Sequence, residues 1–254
     1  MARFQGEPII ENAEEAFEHA SEMMRSSGFK IDQEIQVAVD NKLEIMGYTL
    51  PERNGNLIVV SENALKSGFV EELLVHEMSH IYRSSTMHPS HSEKAMASIM
   101  NSFRKKFNRT YQREALNNIL NHIEDLYADD IAFMVLLNSR AVSPWTLGRF
   151  LQGWIREKPA SSDNHERDRW INAVIMLNNA FALSNMERHS IPDIDFRGRD
   201  ANLKFLYAIN PKAAEHFGYF SRFMVKMRED IDERMFKEMM LEYIREFTEV
   251  VKAL

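Results

Sequence analysis

Apolar residues recur at helical spacing over residues 11–27, at Ala16, Phe17, Ala20, Met23 and Met24, and the pattern stops at Gly28, which predicts an opening amphipathic helix. The period then shortens. IQVAV (35–39), LEIMGYTL (43–50) and LIVV (57–60) read as β-strands, the first two joined by a hairpin turn at Asp40-Asn41-Lys42 and the third entered through PERNGN. A short helical piece begins at Ser61, Gly68 breaks it, and residues 69–82 form a more apolar helix. From Lys94 onward helical spacing dominates, over 94–107, 112–137, 144–156, 165–183, 201–209, 211–227 and 230–251. The expected class is therefore α+β and mostly helical. A small three-stranded antiparallel sheet packs on the 69–82 helix, followed by a helical C-terminal half. One domain over 1–254 is expected, with its core in 1–135, a helical subdomain in 136–254, and the loop at 158–163 as the best internal boundary.

Composition narrows the classes. A chain of 254 residues, 44% hydrophobic, can bury a full core without covalent staples. The net charge of -7 with interspersed signs argues against nucleic acid or an anionic membrane as partner. There is no cysteine, so disulfides, iron–sulfur clusters and thiolate zinc sites are excluded, and any zinc must be held by histidine and carboxylate. No apolar leader opens the sequence and no apolar run approaches the ~18 residues of a membrane span, giving the expectation of a soluble cytoplasmic protein.

The 69–82 helix carries the chemistry, in the run LLVHEMSHI. His76 and His80 are four residues apart, about 40° apart around a helix and one turn along it, so both imidazoles reach one ion. Glu77 points about 100° to the side of His76, away from the ligand positions but able to touch a water in an open coordination position. Composition alone produces H-E-x-x-H roughly 0.03 times in such a chain. The ordinary explanation, an amphipathic helix with two solvated histidines, conflicts with the apolar neighbours Leu73, Leu74, Val75, Met78 and Ile81. The loop that follows carries His88 and His91, and since most loop histidines are solvated, both are weak candidates.

A catalytic zinc site needs a third protein ligand. The helix over 112–137 offers one, because opposite a core stripe of Leu116, Ile119, Leu120, Ile123, Leu126 and Tyr127 lies a band of Asn118, Asn121, His122, Asp125, Ala128, Asp129 and Ala132. Amides, acids and small residues suit a face laid on a metal site better than one facing water. Asp125 and Asp129 are i, i+4, so one can bind the ion while the other accepts from a ligand histidine's second nitrogen. Glu124 is the alternative ligand, and His122 a further ligand or an oxyanion donor.

These residues resemble a known family. LLVHEMSHI followed by D-L-Y-A-D (125–129) is similar to the H-E-x-x-H plus E-x-x-A-D pattern of gluzincin zinc metallopeptidases, as in CaaX prenyl endoproteases and HtpX-like peptidases, and the strands leading into the helix resemble the minigluzincin and SprT-like core. The likeness covers residues 35–135. It implies His76 and His80 as zinc ligands, Glu77 as general base, Asp125 in the family's glutamate position and Asp129 behind a ligand. Asp125 is one methylene shorter than the glutamate it replaces, and the membrane helices of the prenyl-protease and HtpX branches are missing. The sequence thus predicts a zinc metallopeptidase acting on peptide or protein substrates. The rival expectation is a non-hydrolytic zinc-binding sensor or interaction module.

Overall fold

The computed structural model describes the backbone from Ile9 to Leu254 and side chains from Ala13 onward. The stretch 1–8, on which the expectation of no leader rests, lies outside the described residues. In chain order the elements are α1 (Ile9–Ser26), β1 (Glu34–Asp40), β2 (Gly47–Glu52), β3 (Gly55–Ser61), α2 (Glu62–Ser67), α3 (Val70–Ser85), a 3₁₀ turn at Pro89–His91, α4 (Glu93–Phe103) and α5 (Thr110–Ser139). There follow α6 (Pro144–Trp154), α7 (His165–Arg188), a 3₁₀ turn at Ile194–Phe196, α8 (Arg197–Ala208), α9 (Pro211–Ala214), α10 (Phe217–Val225) and α11 (Glu233–Ala253). The class is α+β and mostly helical, as the periodicity predicts. No helix among the described residues is long and apolar enough to cross a membrane.

Two compact units form, one of Met1–His91 with Tyr127–Val142 and the other of Ser92–Leu126 with Ser143–Leu254. The division falls inside the uninterrupted helix α5, not at the 158–163 loop.

In the first unit the sheet is mixed, not fully antiparallel. Its order is β1-β3-β2, with β1 parallel and β2 antiparallel to β3. The expected hairpin between the first two strands does not form. Asp40 Oδ1 accepts from the Lys42 N–H at 2.8 Å, a local turn, and the chain then passes through exposed Ile45 and Met46 before pairing begins. The physical reason is burial. Ile58, Val59 and Val60 of β3 are all buried, which suits a central strand, whereas the outer half of β2 is exposed and suits an edge. Ser61 N–H donates to Met46 O at 2.8 Å, and the alternation of an antiparallel ladder then turns the backbone groups of Gly47, Thr49 and Pro51 away from β3. Pro51, with no N–H to give, sits where none is needed.

Ala13, Ala16, Ala20 and Met24 form the buried face of α1, which packs on α3, and α3 in turn contacts β2 and β3. In the second unit α7 is the central helix, contacted by α6, α10 and α11. Its buried Asn172 and Asn179 each bond both the N–H and the C=O of one residue in the segment after α6, Ala160 and Arg156 respectively, which satisfies backbone that would otherwise be orphaned.

Gly55 marks the tightest approach in the sheet, since a Cβ there would overlap the Glu34 carbonyl on β1. Gly55→Ala is expected to lower the thermal midpoint, at a cost of about 1–3 kcal/mol. Gly153→Ala on α6, where a Cβ meets nothing within 4 Å, is expected to stabilise slightly, by about 0.5–1 kcal/mol. Equal effects of the two changes would contradict this account of the β1–β3 contact.

Candidate metal centre

The α3 helix forms for ordinary reasons. Its first turn carries Glu71 and Glu72, its last turn Arg83, and Leu74, Val75, Met78 and Ile81 bury one face. His76, Glu77 and His80 emerge from the side that meets α5 and β2. His76 and His80 present Nε2 to Nε2 at 3.1 Å. Their other nitrogens are engaged. His76 Nδ1 meets Asp129 Oδ1 at 3.0 Å, and His80 Nδ1 meets His91 Nε2 at 2.8 Å. Glu77, only 7% exposed, accepts a 2.7 Å hydrogen bond from the Thr49 hydroxyl on β2. The general-base candidate is thereby held beside the sheet edge.

Arg83 ties α3 to α5. It is buried, its Nε–H donates to the Tyr127 carbonyl at 2.9 Å, and its guanidinium lies 5.8 Å from the Tyr127 ring centroid. Ala128 and Ala132, both buried, leave room for that approach. Asp125 stands one turn before Asp129 on the same continuous helix. Among the described residues, the group whose donor atoms come together is His76, His80 and Asp125, all within 4.8 Å of one another. Glu124 is not a member.

The donor set suits zinc. Two ligands at about 2.0–2.1 Å and a tetrahedral angle are about 3.3 Å apart, close to the Nε2 separation here, and two imidazoles with a carboxylate form a three-ligand set that leaves a position for water. Asp129 sits behind His76 at Nδ1, the position from which a carboxylate orients a metal-binding imidazole and leaves Nε2 to face the ion.

His122 does not join the group. Its ring is buried and stacked on Phe181 at 5.2 Å, its Nδ1 has no hydrogen-bond partner among the described residues, and burial depresses its pKa. Neither a ligand nor an oxyanion role fits that placement.

His88 and His91, weak candidates from the sequence, are brought close to the group. The chain leaves α3 through a Schellman arrangement, with Met87 in the left-handed region (φ 56°), Met87 N–H donating to Ser84 O, and His88 N–H donating to Arg83 O. This folds the 3₁₀ turn back over α3. His88 is 9% exposed and packs on the Tyr127 ring at 4.4 Å. Burial, followed by the neighbouring His80, His88, Arg83 and His76, pushes the His91 pKa down to about 2, so its ring is neutral. The signal in the sequence is the run H-P-S-H directly after a metal-type helix, which cannot continue through Pro89.

Burial, with the Asp125 charge adding to it, pushes the Glu124 carboxyl up to about 7. A folded value raised above the ordinary 4.5 means that the native state holds this proton more tightly than the unfolded chain. Its contribution to stability is full below about pH 4.5 and is lost as pH rises through about 7. Glu124→Gln, which stays neutral, is expected to raise the thermal midpoint of the metal-free protein at pH 8 relative to wild type, and to do so much less at pH 5. A difference that is the same at both values would contradict the assignment.

Neither the curated proteins nor the solved structures contain a match to the chain. Residues 9–249 match DUF5781, a family of unknown function, and the chain belongs to that family.

Proposed function

We propose that this protein is a cytoplasmic zinc metallopeptidase in which His76, His80 and Asp125 hold the metal and Glu77 is the general base. The observation that carries the reading is the apposition of two imidazole Nε2 atoms at 3.1 Å, with a carboxylate in the same cluster. A cation between the two rings would engage both lone pairs, where otherwise one ring must donate a hydrogen bond to the other. The likeness of the two motifs to gluzincins points the same way, with Asp125 in place of the longer glutamate.

A zinc ion in such a site supplies a Lewis acid that acidifies water and polarises a carbonyl. The chain's own groups do the rest. Glu77 takes a proton from the attacking water and hands it to the leaving amine, and the Thr49 hydroxyl keeps the carboxylate aimed. Asp129 holds the His76 ring and its tautomer. The outward backbone groups of Gly47 and Thr49 offer an extended peptide a strand to pair with, next to the base. Pro51 ends that pairing by lacking a donor.

Two outcomes test the reading. Purified protein loaded with zinc is expected to cleave members of a peptide library, read by mass spectrometry, and Glu77→Gln to keep its zinc while cleavage falls about 10²–10⁴-fold. Undiminished cleavage by Glu77→Gln would refute the mechanism, and bound zinc without turnover on any peptide would favour a binding module. In metal analysis, Asp125→Ala is expected to lose zinc and Glu124→Ala to retain it, and the reverse pattern would overturn the ligand assignment.

A further inference from the structure

In the second unit α6 meets the 3₁₀ turn at Ile194–Phe196 and α8, and a cleft of about 640 Å³ opens between them. That volume lies in the range of small-molecule sites. Arg149, Gln152 and Gly153 line it from α6, Asp195 from the turn, and Arg197 and Ala201 from α8. Helical spacing brings them there, since 149, 152 and 153 are i, i+3 and i+4 on one helix and 197 and 201 are i and i+4 on the other.

The walls are set by contacts that need no ligand. The Gln152 side-chain amide donates to Asp193 Oδ1 at 2.6 Å and to the Ile194 carbonyl at 2.8 Å. Asp193 in turn accepts from the Gly198 and Arg199 N–H groups at 2.8 and 2.9 Å, so the first turn of α8 is already capped and offers an anion nothing. A Cβ on Gly148 would overlap the Pro192 carbonyl, which fixes how closely α6 meets this segment. Within that frame Asp195 and Phe196 both hold left-handed backbone, φ 53° and 55°, at a cost of about 1–2 kcal/mol each. Strain of this kind collects at segments that clamp ligands.

The charges in the cleft do not cancel. Arg149 is exposed and has no hydrogen bond or ion pair among the described residues. Arg197 meets Asp195 at 3.9 Å, the outer limit of an ion pair. One guanidinium is thus left without a counter-charge, on a chain whose net charge is -7.

We propose that this cleft binds a small molecule that carries an oxyanion, phosphate or carboxylate, together with a hydroxyl or amine. Arg149 grips the oxyanion with its forked N–H groups, and Arg197 adds a second cation. Asp195 accepts from the hydroxyl or amine and, by its own charge, disfavours a bare polyanion. This site stands apart from the metallopeptidase reading and does not rest on it.

The test uses the full chain in metal-free form, so that no anion is held by zinc. Glycerol 3-phosphate and serine are the probes, with inorganic phosphate for comparison, and binding is read by calorimetry and by ¹H–¹⁵N shifts. At least one probe is expected to bind more tightly than inorganic phosphate, with shifts centred on 149–153 and 194–201. The probe that does so identifies the oxyanion as phosphate or carboxylate. Arg149→Gln is expected to weaken that probe about 10-fold, the loss of one charge-assisted contact. Arg104→Gln, at another exposed arginine of the same unit, is expected to leave it unchanged. Asp195→Asn is expected to narrow the margin over inorganic phosphate. The absence of shifts at the cleft with either probe overturns the proposal, as does equal affinity in Arg149→Gln and wild type. Inorganic phosphate bound as tightly as both probes overturns it too, because simple ion pairing would then account for the binding.

Discussion

The arrangement on which the rest depends is the meeting of two imidazole nitrogens, His76 Nε2 and His80 Nε2, 3.1 Å apart on one face of α3. That separation is closed either by a proton shared between the rings or by a cation bound to both. The opposite nitrogen of each ring is engaged, one with Asp129 and the other with His91. With the Asp125 carboxylate in the same cluster, this arrangement is the basis of the proposed cation site.

Everything around α3 serves to hold that geometry. Arg83 bonds a carbonyl in the middle of α5, and the small residues Ala128 and Ala132 let the helix come close. The left-handed Met87 folds the following turn back so that His91 sits behind His80 and His88 against Tyr127. On the other side, the mixed sheet presents β2 as an edge, with Thr49 gripping Glu77. The edge that would receive a peptide and the base that would act on it are therefore coupled by one hydrogen bond.

Much of this is legible in the sequence because it depends on local periodicity. The i, i+4 spacing of His76 and His80, the acidic and small band on α5, and the selection of Asp125 and Asp129 follow from helical geometry applied to residue types. The strand pairing does not. Three apolar runs of similar length leave the order open, and only the difference in burial between β3 and β2 makes β3 central and brings β1 alongside it in parallel. His122 shares its helix face with Asp125, yet its ring stacks on Phe181 and lies outside the cluster. The placement of Ser90 and His91 escapes periodicity altogether, because it depends on the direction a loop takes after a left-handed residue.

The most direct test of the central claim is a crystal structure of zinc-loaded protein with an anomalous difference map at the zinc edge. The account predicts one strong peak bonded to Nε2 of His76, Nε2 of His80 and a carboxylate oxygen of Asp125, with the Nδ1 contacts to Asp129 and His91 retained. A peak elsewhere, or none with the two imidazoles still touching, would contradict it.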